Sequence, residues 1–236
     1  MGNSELKIPK HLGIIMDGNR RFAKRLMKQP WHGHKWGAKK VKEVLEWCRD
    51  FGIHKVTLYA FSVENFNRPK REFGYLMNLF EEELENIKTD KEIHTNKVRI
   101  RFLGRIWMFP KGVQQKMKEI EKLTKAYKNY EVNFAMAYGG RTELIDAAKK
   151  IGRLIREKKL DPEDINEKTF AGNLYLNDDV DFVIRTSGEK RTSGFLLWQS
   201  SYAELHFCDK FWPEFSKKDF TKALKDYGKR DRRFGK

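Results

Sequence analysis

The chain has 236 residues, of which 49 are Lys or Arg and 33 are Asp or Glu, so its formal net charge is +16. Aromatic residues make up 13 % of the chain, which argues against intrinsic disorder, and no apolar run approaches the roughly 20 residues of a membrane-spanning helix. The length predicts one domain over residues 1–236 with a sizeable core. The positive charge favours an anionic partner, which could be nucleic acid, anionic lipid or a phosphorylated small molecule.

The predicted secondary structure alternates short apolar runs with longer amphipathic ones. The predicted strands are Leu12–Met16, Val56–Phe61, Val98–Leu103, Val132–Tyr138, Phe182–Ile184 and Tyr202–Phe207. Helical stripes of apolar residues are predicted between them at 41–51, 73–87 and 144–155, and Ser216 with Asp219 forms a capping-box pattern before a last helix. This alternation predicts an α/β fold with a mostly parallel sheet of about six strands and helices on both faces.

Ligands of such sheets bind beyond the carboxyl ends of the strands, so the residues that follow the strands are the candidate functional residues. After the first strand, Gly18 permits a tight turn, the next helix would present its amides to an anion, and Asp17 could hold Mg²⁺ against a phosphate. The same residues would also suit an ordinary Asp-Gly turn. The candidates here are Asp17, Gly18, Asn19, Arg20, Arg21 and Phe22.

Polar residues also follow the second and fifth strands. Residues 61–69 combine a hydroxyl, a carboxylate, amides and a guanidinium, although Ser62 and Asn65 would equally serve to cap a turn. Residues 185–194 carry two arginines, a lysine, four hydroxyls and two glycines, which suits bidentate phosphate recognition, and a solvated basic loop would look similar. In the sixth strand, Glu204 stands between apolar residues and needs a partner. We expect two phosphate-binding loops with one carboxylate at Asp17 and a second at Glu204.

Other features favour simpler interpretations. Cys48 and Cys208 are isolated, which favours a reduced, cytoplasmic chain, although a disulfide between them is compatible with the sequence. The histidines lack a zinc-binding spacing, and the acidic run 178–181 is best interpreted as a solvated turn before a strand. The lysines of 111–128 are typical of a solvated helix face.

Five segments together resemble the cis-prenyltransferase family, which includes the undecaprenyl diphosphate synthases. They are HLGIIMDGN at 11–19, GHKWG at 33–37, TLYAFSVENFNRP at 57–69, NFAMAYGGR at 133–141 and the segment 181–207. The resemblance extends from about Ile8 to Gly235, with the motifs in family order.

This resemblance implies sequential condensation of isopentenyl diphosphate onto an allylic diphosphate, farnesyl or geranylgeranyl diphosphate, with cis geometry. The product would be a long, undecaprenyl-like polyprenyl diphosphate, a precursor of glycosyl carrier lipid. Asp17 would be catalytic and bind Mg²⁺, with Glu204 as the second Mg²⁺ contact, and Asn65 would serve proton removal. The substrate-binding residues would be Gly18, Asn19, Arg20, Arg21, Phe22, His34, Phe61, Ser62, Val63, Glu64, Phe66, Arg68, Arg185, Arg191, Thr192 and Ser193, with Glu72 in support.

The resemblance also implies a homodimer, because Arg233-Phe234-Gly235 is similar to a C-terminal motif that reaches the neighbouring subunit's site. We expect the tail 228–236 to do so here, and the enzyme to be cytoplasmic with possible peripheral contact with membrane lipid and none with nucleic acid.

Two positions depart from the bacterial pattern. Arg20 replaces a usual Gly, and Pro30 replaces a usual Arg, so that one diphosphate contact is expected to have moved onto Arg20 or Lys28. This pattern is more similar to archaeal members. The alternative functions are another transferase of phosphorylated ligands, a non-catalytic subunit of a heteromeric prenyltransferase, and a basic nucleic-acid-binding protein.

Overall fold

A computed structural model describes residues 6–230, which form an α/β fold around a single six-stranded sheet. The strands are β1 (His11–Ile15), β2 (Lys55–Ser62), β3 (Val98–Leu103), β4 (Tyr130–Tyr138), β5 (Phe182–Arg185) and β6 (Glu204–Phe207). The α-helices are α1 (Asn19–Arg25), α2 (Gly33–Asp50), α3 (Lys70–Thr89), α4 (Lys91–Thr95), α5 (Lys111–Thr124), α6 (Gly140–Arg156), α7 (Glu167–Ala171) and α8 (Lys217–Gly228). Short 3-10 helices lie at Pro30–His32, Val63–Asn67, Ile106–Met108, Pro162–Asp164 and Trp212–Glu214.

The sheet is parallel throughout, with the order β3-β4-β2-β1-β5-β6. β1 lies in the middle, paired with β2 on one side and β5 on the other, and all five of its residues are buried. The predicted fold class is therefore confirmed. The strand order brings the ends of β2, β1 and β5 together, because these three strands are neighbours.

Two hydrophobic clusters cover the two faces of the sheet. The larger one joins the sheet to α2, α3, α5 and α8. The smaller one, around Tyr138 and Phe195, joins the sheet to residues of the connections on either side of β5, such as Leu176 and Leu196. No helix among residues 6–230 has the length and apolar content needed to cross a bilayer.

Two predicted elements differ in detail from the structure. The last strand begins at Glu204 rather than Tyr202, whose side chain is 68 % exposed in the preceding turn. In α6 the buried face runs through Gly140, Glu143, Ala147 and Ile151, whereas the predicted stripe included Ile145 and Ala148, which are exposed. The predicted stripe is confirmed at Ile151 and was wrong at Ile145 and Ala148, because it followed apolar residue type and the buried face of this helix includes a glutamate.

Candidate active site

The turn after β1 is closely packed around Gly18. This glycine has φ +102°, in the left-handed region that other residues avoid, and a Cβ on it would lie 2.8 Å from Phe211 and 2.9 Å from Ser187. Thr186, which follows β5, donates a hydrogen bond through Oγ1 to the carbonyl of Asp17 at 2.7 Å. The turn after β1 and the end of β5 are thus held together.

Asp17 lies between two arginines. Its Oδ2 accepts a hydrogen bond from Arg185 Nη2 at 2.7 Å, and its Oδ1 lies 2.6 Å from the amide of Gly18 and 3.4 Å from Arg21 Nη2. Burial alone would raise the pKa of Asp17, but the hydrogen bond and charge of Arg185, together with Arg21, hold the pKa below its usual value. The carboxylate is therefore ionised at neutral pH.

The first helix of the site packs on the second through two glycines. A Cβ on Gly33 would lie 1.9 Å from the carbonyl oxygen of Asn19, and one on Gly37 would lie 2.4 Å from Asn19 Oδ1. Any side chain at these positions would push α1 away. The glycines therefore fix the beginning of α1, which is the predicted anion-binding end, against α2.

A second cluster lies on the other side of this turn, around the buried carboxylate of Glu72. It pairs with Arg68 at 2.5 Å and with Arg20 Nε at 3.4 Å, and His34 Nε2 lies 3.9 Å away. The pKa of His34 is lowered to about 3 by burial and by the charges of Arg68 and Arg20. Arg68 Nη1 lies 3.1 Å from His34 Nε2, and because a guanidinium only donates, the neutral imidazole carries its proton on Nδ1. His34 is thus a neutral donor.

The loop after β2 is a capped 3-10 helix. The side chain of Ser62 accepts from the backbone of Asn65, and Asn65 Oδ1 accepts from the amide of Ser62 at 3.0 Å, so the simple capping interpretation holds. With Oδ1 engaged in this way, the NH₂ group is the end of the Asn65 amide that remains for a substrate.

The end of β2 is packed among aromatic rings. The ring centroid of Phe61 lies 5.1 Å from that of Phe66 and 5.4 Å from that of Phe109. The register between β2 and β4 shifts at Phe61 and Ser62, which is the irregularity expected where side chains are redirected at a site.

The loop after β5 wraps around Arg185, whose side chain is 5 % exposed. Its Nη1 donates to Ser193 Oγ at 2.9 Å and to the carbonyl of Arg191. Its Nε is buried without a hydrogen-bond partner among the described residues. An unpartnered buried donor is costly, so this nitrogen fits a bound anion.

Glu189 is a loop residue that the sequence did not identify as a member of the site. Its carboxylate holds Arg21 at 3.0 Å and Arg191 at 2.6 Å, and Ser187 Oγ also accepts from Arg21. One acidic residue therefore joins the two predicted diphosphate-binding loops. No spacing rule would have revealed it, since Arg21 and Glu189 are 168 residues apart.

A second unanticipated residue is Glu143, a buried carboxylate on α6. It accepts from Tyr175 N at 2.9 Å, from Gln199 Nε2 at 3.0 Å and from the hydroxyl of Tyr138. Burial raises the pKa of Glu143. Gln199 lies in the same connection between β5 and β6 as Ser193, so this network anchors that loop to the body of the protein.

Glu204 does not join Asp17 within the described chain. It is the first residue of β6 and pairs in register with Phe182, at the amino edge of the sheet, whereas Asp17 follows the carboxyl end of β1. The two lie about five residue steps apart, roughly 16 Å along the strands. Its partner is Arg230, whose Nη1 lies 2.6 Å from Glu204 Oε2. The expectation that both carboxylates line one pocket of this chain was wrong, because Glu204 begins its strand, whereas the predicted pocket lies beyond the carboxyl ends of the strands.

One large cavity of about 940 Å³ connects nine of the predicted site residues. Those on its wall are Asp17, Asn19, His34, Phe61, Ser62, Asn65, Arg68, Arg185 and Ser193. A smaller cavity of about 400 Å³ adjoins it, and its wall adds Gly18, Arg20, Arg21 and Lys24. Phe22 packs against Trp36, whereas Val63, Glu64, Phe66, Arg191 and Thr192 lie on the loops but on neither cavity wall. Lys28 lines neither cavity either.

The large cavity continues away from the polar end as an apolar channel between α2, α3 and the sheet. Both His54, just before β2, and Ser62, at its end, line it, so it runs the length of β2, roughly 23 Å at the rise of a parallel strand. The apolar lining includes Val41, Leu45, Leu76, Phe80, Leu84 and Ile87. The predicted stripes at 41–51 and 73–87 therefore supply both channel wall and core, since Val44 and Met77 are buried core residues.

The donor set at Asp17 fits Mg²⁺ only together with a substrate. Among residues 6–230 no group of three or more acidic, His or Cys side chains could hold a metal by itself. A single ionised carboxylate beside a phosphate-binding pocket is nevertheless a common arrangement for Mg²⁺, which takes one or two carboxylates and completes its shell with phosphate oxygens and water.

Comparisons with known proteins agree with this geometry. Residues 15–235 match the prenyltransferase family described as "Putative undecaprenyl diphosphate synthase". The chain is 52 % identical over 233 residues to the tritrans,polycis-undecaprenyl-diphosphate synthase (geranylgeranyl-diphosphate specific) of Methanocaldococcus jannaschii, covering 97 % of this chain and 83 % of the relative. It is 46 % identical to an isoprenyl transferase of Thermus thermophilus, covering 97 % and 89 %.

Among solved structures, lavandulyl diphosphate synthase of Lavandula x intermedia in complex with dimethylallyl diphosphate superposes with a TM-score of 0.92 at 34 % identity. That match covers 97 % of this chain and 99 % of the other. None of the relatives described here is named as a non-catalytic subunit or a nucleic-acid-binding protein. With its family match, its relatives and a basic pocket that opens into an apolar channel, the chain belongs to the cis-prenyltransferase family and is a prenyltransferase that elongates prenyl chains.

Proposed function

We propose that this chain condenses isopentenyl diphosphate repeatedly with geranylgeranyl diphosphate, in an Mg²⁺-dependent reaction, to give a long cis-polyprenyl diphosphate. The observation that carries the proposal is the single cavity, which joins the charged pocket around Asp17 and Arg185 to a long apolar channel. A diphosphate head suits the first part, and a growing prenyl chain suits the second. The primer specificity rests on the archaeal relatives named for geranylgeranyl diphosphate.

Within this proposal, the primer's diphosphate binds at the beginning of α1, between the guanidiniums of Arg21 and Arg20 and the neutral His34. Helix amides, arginines and a neutral donor all stabilise negative charge as it develops on the leaving diphosphate. Asp17 would hold Mg²⁺ together with substrate oxygens, and the bound ion would supply further charge neutralisation. Arg185, with its unpartnered Nε, and Ser193 would bind the second diphosphate.

Proton removal from isopentenyl diphosphate is assigned to the surroundings of Asn65. A carboxamide has too little proton affinity to be the final base. Because its Oδ1 accepts from Ser62, the Asn65 NH₂ group orients the substrate, and a diphosphate oxygen or water takes the proton. Turnover unchanged in both Asn65→Asp and Asn65→Ala would refute this role.

The direct experiment supplies purified protein with labelled isopentenyl diphosphate and either geranylgeranyl or farnesyl diphosphate, with Mg²⁺ or with EDTA. We expect long products, preferentially from geranylgeranyl diphosphate, and their loss in EDTA. Asp17→Ala should abolish incorporation, whereas Asp161→Asn, an exposed helix-capping residue elsewhere, should retain it. No incorporation with either primer would exclude the proposal.

We also propose that the enzyme acts as a homodimer in the cytoplasm, in peripheral contact with membrane lipid. An exposed apolar patch supports the dimer: Trp107 is 63 % and Ile145 is 52 % exposed, and their segments are tied together by Arg105, which donates to Asp146 at 2.8 Å and 2.7 Å. The C-terminal Arg233-Phe234-Gly235 motif lies outside the described residues.

Trp107→Lys should lower the mass measured by light scattering to that of a monomer, while Ile165→Lys, at another exposed apolar position, should not. A monomeric wild-type protein would contradict the dimer.

A further inference from the structure

The helix α1 ends in a turn whose backbone favours glycine but which carries methionine. The amide of Met27 donates to the carbonyl of Lys24, and the amide of Lys28 to that of Ala23, which together form a Schellman motif. Met27 occupies its left-handed position with φ +54°. A residue with a Cβ is strained there, and glycine would not be.

Two other helices of the same chain end in the same motif. At the end of α2, the left-handed position holds Gly52, and the next residue, Ile53, is buried. At the end of α6, it holds the exposed Lys158. Only α1, among these three ends, places a large apolar side chain there.

The Met27 side chain makes almost no contact with its own protein. It is 96 % exposed, and the neighbouring Leu26 is 46 % exposed. The residue thus combines backbone strain with the exposure of apolar surface, and neither contributes to folding stability. Because Met27 carries the free-energy cost of a positive φ and of exposed apolar surface without any internal packing, it indicates a contact with something outside the molecule.

The surroundings of this tip are strongly basic. Between Asp17 and Glu43 the chain has no acidic residue and nine basic ones, Arg20, Arg21, Lys24, Arg25, Lys28, Lys35, Lys39, Lys40 and Lys42. Lys24 and Lys28, on either side of the tip, form no ion pair within residues 6–230. An apolar tip with a basic rim is complementary to a bilayer that contains anionic lipid, where the lysines meet headgroups and the apolar side chains enter the interface.

The position of the tip also suits the substrate site. α1 has seven residues and therefore spans roughly 10 Å from the diphosphate pocket at its beginning to Met27 at its end. We propose that the Leu26–Met27 turn, with Lys24 and Lys28, is the surface by which this protein binds an anionic membrane. This inference rests on the proposed function, whose polyprenyl product belongs in a bilayer.

The test is co-sedimentation with phosphatidylcholine vesicles that contain or lack phosphatidylglycerol, at physiological salt. Wild-type protein should bind only the anionic vesicles. Met27→Gly removes the side chain and relieves the backbone strain, so we expect roughly tenfold weaker binding together with an unchanged or higher melting temperature. A merely structural role for Met27 predicts a lower melting temperature instead.

Matched controls distinguish binding through this surface from non-specific adsorption of any exposed apolar side chain. Met27→Asn keeps a residue that tolerates the left-handed position but removes the apolar side chain, and should also weaken binding, whereas Lys158→Met creates a similar turn elsewhere and should not change it. Ile165→Asp removes a 41 % exposed apolar side chain at a distant position and should leave binding unchanged. Wild-type binding by Met27→Gly and Met27→Asn would overturn the proposal, and so would a loss of self-association in these variants without a loss of vesicle binding.

Incorporation of isopentenyl diphosphate in detergent solution keeps the two proposals apart. Met27→Gly should retain the wild-type rate there, because Met27 lines neither cavity. If wild-type protein shows no incorporation yet binds vesicles through Met27, the proposed function fails and the membrane surface stands. If incorporation is normal and Met27 has no effect on vesicle binding, only the membrane surface fails.

Discussion

Arg20 is one of the two residues that we expect to replace a diphosphate contact at the Pro30 position. Pro30 begins a 3-10 helix. Of the two replacements considered, Arg20 lines the smaller cavity and pairs with Glu72, while Lys28 lines neither cavity. The geometry therefore favours Arg20 over Lys28 for this proposed contact.

Arg20→Ala should raise the KM for the allylic primer roughly tenfold, as expected for one charged hydrogen bond, with less effect on the KM for isopentenyl diphosphate. Lys28→Ala is the matched control and should leave both values near wild type. The opposite pattern, with Lys28→Ala raising the primer KM and Arg20→Ala neutral, would move the contact to Lys28.

His11 makes the folded protein sensitive to acid. Its ring lies between Thr57 Oγ1 at 2.8 Å and the carbonyl of Asp179 at 2.9 Å, and burial lowers its pKa from 6.5 to about 4. Below pH 6.5 the unfolded state therefore binds a proton that the folded state excludes, so stability falls as the pH drops towards 4.

Between pH 7 and pH 5, His11 should account for about 1–2 kcal/mol of lost unfolding free energy. Urea unfolding of wild type and of His11→Gln at both pH values measures this contribution, since the variant should lose correspondingly less. Equal losses in the two proteins would show that His11 does not carry the effect. His34, with a pKa of about 3, acts in the same direction and is present in both.

At the scale of elements, the loop between β5 and β6 is held at both ends. Arg185 binds its first half through Ser193, and Gln199 attaches its second half to Glu143 on α6. Ser187, Ser193 and Leu196 all have positive φ, so the loop keeps a strained path that these anchors must maintain.

Gln199→Ala should therefore raise the KM for isopentenyl diphosphate severalfold while the primer KM stays near wild type, in assays below the melting temperature. It should also cost about 1–3 kcal/mol of stability, because Glu143 loses a buried donor. Gln114→Ala is the control: its amide anchors a different loop through the carbonyl of Phe109 at 2.6 Å. Equal effects of the two variants on both KM values would show that Gln199 stabilises the fold without positioning the loop for isopentenyl diphosphate.

At the scale of the whole molecule, we expect the channel between α2, α3 and the sheet to limit the length of the product. Its volume is set by large side chains that come from both helices and three strands. Two valines of α2 differ in what they contact: Val41 lines the channel, whereas Val44 is fully buried in the core.

Val41→Phe should shorten the products, because the added ring occupies the space of the growing chain. Val44→Phe should instead cost about 1–3 kcal/mol of stability by overpacking the core, with product lengths unchanged. Thin-layer chromatography of the dephosphorylated products and thermal melts of both variants decide the question. Identical product distributions for Val41→Phe and wild type would place the growing chain elsewhere.

The sequence by itself determined the parallel α/β fold and the chemistry at the strand ends. Alternating short and long apolar runs allow few other folds, and charged residues beside a buried strand, such as Asp17 and Arg185, have few places to lie but its end. The spacing of residues along the chain reveals the secondary structure and the polar strand ends, because both depend on residues that are close in sequence.

Only the tertiary structure decided which of these side chains meet. Glu189 joins Arg21 to Arg191 and Glu143 anchors the loop of Ser193, while Glu204 lies at the opposite edge of the sheet from Asp17. Strand order and register set these distances, and both depend on packing between segments more than a hundred residues apart. The exposed Met27 was likewise invisible in the sequence, since an apolar residue beside a helix is normally buried, and only the folded chain shows that nothing covers it.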